Sequence, residues 1–179
     1  MAEQNDFQNW EGDKISDFIV ETHHAYIRSI IPTIQKNLKE ITENHTSEVK
    51  NAKEIVATFD ELAKSLIEHL DGEEKYLFPF VKKMLQARKD GTKIPKPGFG
   101  NLDGPLKHHV EDHDHATTLM KKINTLCNGY SVPANANNVV ATVFQEFDKF
   151  EKDLEKHIHL ENEVLFDKAR ELEKLTIES

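Results

Sequence analysis

One ten-residue pattern occurs twice in this chain of 179 residues. The pattern H-x-x-x-E-x-x-x-L-F begins at His69 and returns 88 residues later at His157, so Glu73 and Glu161 follow at the same spacing. In both copies the flanking apolar residues step by three and four, which predicts a helix, and residues four apart lie on one helix face. Each copy therefore predicts a helix that presents an imidazole and a carboxylate together.

Both His/Glu pairs occupy positions where an apolar stripe would carry leucine or valine. The two stripes comprise Phe59, Leu62, Leu66, His69, Glu73, Tyr76 and Phe80 in the first copy, and Val140, Val143, Phe147, Phe150, Leu154, His157, Glu161 and Val164 in the second. A buried carboxylate is costly unless it is paired or coordinated, and no lysine or arginine occupies a neighbouring stripe position. The pattern therefore favours metal coordination over an ordinary helical core.

Two more histidines lie on the inward stripes of two further predicted helices. His24 lies between Val20 and Ile27 in a helix from residue 13 to about residue 44, and His113 lies in a helix that begins near Asp103. These two histidines are 89 residues apart, almost the offset that separates the H-x-x-x-E pairs. The chain is thus predicted to contain an internal repeat of two helices, the first with one stripe histidine and the second with the pair.

Turn-forming residues separate the four predicted helices. Short loops are predicted at residues 44–47 and 130–137, and residues 91–104, rich in glycine and proline, form the longer connection between the two halves. Ser47 is the predicted N-cap of the second helix, and Pro105 falls early in the third, where its missing N–H is tolerated. Short loops between long helices favour antiparallel neighbours.

We therefore predict an all-α fold, an antiparallel four-helix bundle over residues 13–176 that follows an N-terminal arm over residues 1–12. The formal net charge of −9 argues against nucleic acid or an anionic membrane as the partner. The single cysteine, Cys127, excludes an intrachain disulfide framework, and no apolar run approaches the length of about 18 residues that a spanning helix needs. We expect a cytoplasmic protein that is a monomer or a dimer.

The predicted ligand types indicate which metals would suit the site. Imidazole and carboxylate without thiolate favour iron or manganese over copper or structural zinc. Two divalent ions carry more positive charge than two glutamates cancel, which favours an oxo or hydroxo bridge, and an open coordination position would admit O2, NO or peroxide. The predicted ligands of the two ions are His24, His69, Glu73, His113, His157 and Glu161.

The remaining histidines leave some alternatives open. The apolar stripe favours His24 as the metal ligand of the first helix, and His23 is the alternative. His108, His115 and His159 lie off the best stripes and are expected to be solvated or to support the ligands from outside.

The chain resembles the hemerythrin-like, or HHE cation-binding, superfamily, and within it the di-iron family known as repair of iron centres. The resemblance covers residues 7–172. It rests on Asn9-Trp10, on residues 17–26 with the His-His pair, on His69-x-x-x-Glu73-Glu74 with Leu77-Phe78-Pro79, on Gly104-Pro105 with Glu111-Asp-His113-Asp114, and on His157-Ile-His-Leu-Glu161-Asn162 with Leu165-Phe166. It implies two non-haem irons held by four histidines and two bridging glutamates, and a role in restoring iron–sulfur clusters damaged by nitric oxide or oxidants, as an iron donor to those proteins.

Three departures from the family pattern bear on this expectation. Members often carry an N-terminal cysteine-containing domain, whereas this sequence starts almost at the bundle, so any step that needs those thiols is expected to be absent or to lie on a partner. The second copy ends in Leu-Phe-Asp167 rather than Leu-Phe-Pro. Oxygen-carrying hemerythrins use H-x-x-x-H on the third helix, which makes His109 a possible additional ligand, although Asn162 stands where those carriers have a carboxylate.

The expected function is therefore a stress-response di-iron protein that donates iron, more a metal-binding protein than an enzyme. The alternatives are an O2 or NO carrier or sensor of hemerythrin type, and a di-iron NO or peroxide reductase.

Overall fold

Long helical segments make up most of the computed structural model, which describes residues 7–178. Three of the four long segments contain a π-helical turn, and the third does not. In chain order the elements are a 3₁₀ turn (Phe7–Asn9), α1 (Gly12–Ile19), a π turn (Val20–His24), α2 (Ala25–Asn44), α3 (Ala52–Gly72), a π turn (Glu73–Leu77), α4 (Phe78–Asp90), α5 (Asp103–Leu126), α6 (Asn138–Leu160), a π turn (Glu161–Leu165) and α7 (Phe166–Thr176). The predicted all-α bundle is confirmed.

Two apolar cores lie on either side of the polar pairs. Helices α2, α3, α5 and α6 enclose the larger core, in which the rings of Phe59, Phe147 and Phe150 contact one another with centroids 5.5 and 5.9 Å apart. Helices α1, α4 and α7 enclose the second core around Phe78 and Phe166. Full burial of one such side chain contributes about 1.5–3 kcal/mol, so the bundle is held firmly above and below the polar layer.

The first loop differs from the prediction in its helix cap. Helix α3 begins at Ala52 and the residue before it is Asn51, so the prediction of Ser47 as the N-cap was wrong. The carboxylate of Glu48 accepts hydrogen bonds from the Asn137 backbone N–H at 2.6 Å and from His45 Nδ1 at 2.8 Å. These bonds hold the loop against the start of α6.

The long connection is anchored to the end of the chain. Gly91 closes α4 with a φ of +64°, a left-handed conformation that glycine adopts without a Cβ clash. Beyond it, Ile94 and Ile177 form an isolated parallel β-bridge, in which the Ile94 N–H donates to the Thr176 carbonyl at 2.9 Å. The connection was predicted, but its attachment to the C-terminal residues was not.

The aromatic residues of the predicted N-terminal arm pack against α1. The ring of Phe18 lies 5.1 Å from that of Phe7 and 5.6 Å from that of Trp10, measured between centroids. Residues 1–6 of the predicted arm lie outside the described residues.

Cys127 is buried where α5 ends, and burial raises the pKa of its thiol to about 12. No helix between residues 7 and 178 combines the length and the apolar character that crossing a membrane requires.

Candidate metal centre

The three π turns occur where the predicted ligands lie. His24 is the last residue of the first π turn, and Glu73 and Glu161 are the first residues of the other two. A π turn adds a residue to one helical turn and is frequent at functional sites, because it redirects side chains without ending the helix. The local backbone of the H-x-x-x-E repeat is therefore specialised in both copies.

The structure brings all six predicted ligands together in the layer between the two apolar cores. They form two groups of four, each with the two glutamates in common, and within a group the ligand atoms all lie within 4.8 Å of one another. We call the pair His24 and His157 the His24 half, and the pair His69 and His113 the His69 half. All six side chains are buried.

In the His24 half, two imidazole nitrogens face one another and the shared carboxylates. The Nε2 atoms of His24 and His157 are 3.3 Å apart. His24 Nε2 lies 3.5 Å from Glu73 Oε2, and His157 Nε2 lies 3.1 Å from Glu161 Oε1.

The His69 half repeats this arrangement with the other oxygen of each carboxylate. The Nε2 atoms of His69 and His113 are 3.0 Å apart. His69 Nε2 lies 3.3 Å from Glu73 Oε1, and His113 Nε2 lies 3.0 Å from Glu161 Oε2. Each glutamate therefore directs one oxygen to each half, which is the arrangement of a carboxylate that bridges two cations.

The glutamate oxygens lack ordinary hydrogen-bond partners. Both carboxylates are fully buried, and none of their four oxygens accepts a hydrogen bond of good geometry from any residue between 7 and 178. Buried charges of this kind cost several kcal/mol each unless they are paired or coordinated. The donor set of four imidazole nitrogens and two carboxylates therefore fits a pair of divalent cations.

Polar residues support three of the four histidines from outside. His24 Nδ1 donates to Glu74 at 2.9 Å, and His69 Nδ1 lies 3.3 Å from Asp112 Oδ2. His113 Nδ1 donates to the side-chain oxygen of Asn162 at 3.0 Å. Such bonds fix the imidazole so that Nε2 is directed at the site, and they are typical of metal-binding histidines. Glu74 and Asn162 each follow a shared glutamate directly, so their positions could have been found by continuing the repeat.

The fourth histidine, His157, has a different environment. Its Nδ1 is buried without a hydrogen-bond partner among residues 7–178, and its ring stacks on that of His23 with centroids 5.7 Å apart. His23 is itself buried and its Nδ1 bonds Asp153 Oδ1 at 3.0 Å. His24, and not His23, thus joins the ligand groups. The burial of His23 was not predicted, because Asp153 is 130 residues away in sequence.

Neighbouring opposite charges shift the pKa values of His69 and Glu161. Burial opposes protonation of His69, but the adjacent Glu73 carboxylate, with help from Glu161 and Asp112, raises the pKa of His69 to about 9. Burial also opposes ionisation of Glu161, yet His157 and His113 hold the pKa of that carboxyl well below its usual range. The site therefore favours ionised glutamates, the state that binds a cation.

The other histidines occupy the surroundings of the site. His109 lies outside the two groups of four, with Nδ1 3.5 Å from Glu73 Oε1 and 3.4 Å from His69 Nδ1. Burial lowers the pKa of His109. His108, His115 and His159 are exposed, as the sequence predicted.

These observations define an all-helical protein with a buried cation-binding cage, and comparison with known proteins gives the family. Residues 17–169 match the hemerythrin HHE cation binding domain, and the chain belongs to this family. Its curated relatives include the protein named iron-sulfur cluster repair protein YtfE from Musicola paradisiaca, which is 27% identical over 172 residues that cover 94% of this chain and 71% of that protein.

Further relatives carry the same name. The protein from Pectobacterium atrosepticum is 25% identical over 175 residues, covering 94% of this chain and 72% of that protein. The protein from Yersinia pseudotuberculosis is 22% identical over 173 residues, covering 94% of this chain and 72% of that protein.

Proposed function

We propose that this chain is a non-haem di-iron protein that takes part in the repair of iron–sulfur clusters damaged by nitrosative or oxidative stress, as a donor of iron. The observation that carries the proposal is the buried cage itself. Each shared glutamate directs one oxygen to the His24 half and one to the His69 half, and these oxygens have no other strong partner among the described residues.

Six side chains would hold the metal pair: His24, His69, Glu73, His113, His157 and Glu161. Bound iron would supply an oxo- or hydroxo-bridged centre with room for a small ligand. The protein's own contribution is to keep both carboxylates ionised, to direct four Nε2 atoms inward and to exclude bulk water, since all six side chains are buried. A donor set of oxygen and nitrogen without thiolate supports iron or manganese over copper or structural zinc.

The assignment to cluster repair is supported by the relatives, which carry that name and align with 94% of this chain. In this role iron is the cargo, and damaged iron–sulfur proteins are the recipients. We expect such a protein to act in the cytoplasm, as a monomer or a dimer, without binding nucleic acid.

Two measurements test the proposal in sequence. Metal analysis with an absorption spectrum should find two irons per chain and bands of a bridged centre. The iron-loaded protein should then restore the activity of an iron–sulfur enzyme inactivated by nitric oxide, and apo-protein plus a chelator should not. Zero or one metal per chain, or no recovery beyond that given by free ferrous iron, would contradict the proposal.

A second candidate is a carrier or sensor of O2 or NO. The position of His109 favours it, because His109 Nδ1 lies 3.5 Å from Glu73 Oε1 and the side chain is mostly buried. A stable and reversible change of the absorption spectrum on mixing the reduced protein with O2, lost in His109→Ala, would establish this function. Steady consumption of NO or peroxide with an electron donor would instead indicate a reductase.

A further inference from the structure

A third group of potential ligands lies on the outer side of the His69 half. We call it the outer cluster: His69 Nδ1, His109 Nδ1 and Asp112 Oδ2. His69 belongs to the cage through Nε2 and to the outer cluster through Nδ1. His109 and Asp112 lie on one face of α5 and belong to neither group of four that forms the cage.

The spacing of the outer cluster suits a single cation. His69 Nδ1 lies 3.4 Å from His109 Nδ1 and 3.3 Å from Asp112 Oδ2. Ligands bound at about 2.0–2.2 Å around one divalent ion lie about 3–3.5 Å from one another. Two neutral imidazoles and a carboxylate are also an ordinary ligand set for iron.

The outer cluster lies between the buried cage and solvent. The exposed fraction of the side chain rises from 0% at Glu73 and 3% at His69 to 15% at His109 and 39% at Asp112. His108, whose Nε2 lies 3.9 Å from Asp112 Oδ2, is 75% exposed at the rim. Potential ligands therefore form a series from the buried glutamates to the partly exposed Asp112.

The internal repeat provides a comparison within the same molecule. At the positions 89 residues before His109 and Asp112 stand Val20 and His23. Val20 cannot bind a metal, and His23 Nδ1 is already bonded to Asp153 at 3.0 Å, with the ring of Phe18 against it. The His24 half thus has no counterpart of the outer cluster among the residues that the structure describes.

We propose that the outer cluster is a transfer site through which ferrous iron enters and leaves the cage, from the His69 half only. This inference rests on the proposed function, in which iron is cargo. A neutral imidazole has one lone pair, so His69 can serve the cage through Nε2 or the outer cluster through Nδ1, but not both. When Nε2 serves the cage, the proton on Nδ1 faces Asp112 Oδ2 at 3.3 Å.

The test measures the rate of iron transfer from the iron-loaded protein, reduced beforehand with dithionite under anaerobic conditions so that its iron is ferrous, to an excess of a coloured ferrous-iron chelator. The variants are Asp112→Asn and His109→Gln, singly and combined, and the matched control is His115→Gln, an exposed histidine on the same helix that is ion-paired with Glu61. We expect the iron content and absorption spectrum of His109→Gln to match those of the unmodified protein. The release rate should fall about threefold in each single variant and about tenfold in the double variant, with no change in the control.

If Asp112 serves only to orient His69, the rate of iron release in Asp112→Asn should rise instead of fall. Loss of such a support weakens metal binding, so release would be faster, and a faster or unchanged rate would overturn the transfer site. Loss of iron or a changed spectrum in His109→Gln would overturn it as well, because His109 would then be a ligand of the cage. A protein that releases iron through the outer cluster but restores no damaged iron–sulfur enzyme would contradict the proposed function and leave the transfer site standing.

Discussion

The His24 half and the His69 half of the cage match one another on the inside and differ on the outside. Inside, each half has two Nε2 atoms and one oxygen from each glutamate. Outside, His24 is supported by a carboxylate, Glu74, whereas the equivalent histidine, His113, is supported by the amide of Asn162.

The second outer difference concerns access to solvent. His157 stacks on a buried histidine, while His69 faces the partly exposed outer cluster. An internal repeat can thus keep a symmetric arrangement of inward-facing histidines and glutamates and still surround its two halves with different residues.

The largest expected effect comes from the groups that the two halves share. Replacing Glu161 by glutamine removes the negative charge that the two halves share and replaces one of its two ligand oxygens by an NH2 group, so both irons should be lost rather than one. Metal analysis of purified Glu161→Gln should give less than half an iron per chain. Glu163→Gln, an exposed neighbour, is the control and should keep two.

A smaller effect is expected when only one half is damaged. His157→Ala removes a ligand from the His24 half and should reduce the iron content from two per chain to about one, since the other half keeps its four ligand atoms. The same number is expected for His113→Ala. Complete loss in both variants would mean that the halves bind iron only as a unit.

Protonation of His69 should make the stability of the metal-free protein depend on pH. Its folded pKa of about 9 lies above the unfolded value of 6.5, so the stabilisation is fully present below pH 6.5 and is lost as the pH rises to about 9. The loss should be roughly 3 kcal/mol, at 1.36 kcal/mol for each pKa unit.

Thermal unfolding of metal-free protein between pH 6 and 9 measures this effect. His69→Gln should reduce the slope of the unfolding midpoint against pH. Iron-loaded protein should show the reverse trend and lose stability on acidification, because protons compete with the metal for the imidazoles. A midpoint of the metal-free protein that does not change with pH would contradict the expected charge balance.

The smallest effect should follow from changing the residues that hydrogen-bond the Nδ1 atoms of His24 and His113. Glu74→Gln replaces a carboxylate behind His24 by an amide, and Asn162→Asp makes the opposite change behind His113. Changes of this type alter metal affinity about tenfold, so iron in the affected half should be removed about ten times faster from the first variant and more slowly from the second. Equal removal rates would show that these supports do not set the difference between the halves.

Much of the architecture could be predicted because it depends on local periodicity. Stripes of three and four residues fix which face of each helix is buried, and the exact repeat placed His69 and Glu73 opposite His157 and Glu161. The same rule selected His24 over His23 for the inward face.

The remaining features depend on contacts between distant segments. The π turns at Glu73 and Glu161 arise where the backbone adapts to a crowded polar layer, and no local sequence signal distinguishes them from α-helix. Buried His23 bonds Asp153 of α6, which is 130 residues away in sequence, and the loop before α3 is tied to Asn137 by Glu48, so neither contact can be found from local sequence. Periodicity assigns a residue to a face but does not identify what packs against it.

The burial of Cys127 has a consequence for the redox chemistry of this protein. With a thiol pKa of about 12, only about one molecule in 10⁵ carries the reactive thiolate at pH 7. Oxidation, nitrosation and disulfide exchange all proceed through that form. The folded protein should therefore neither cross-link through Cys127 nor lose activity through modification of this thiol.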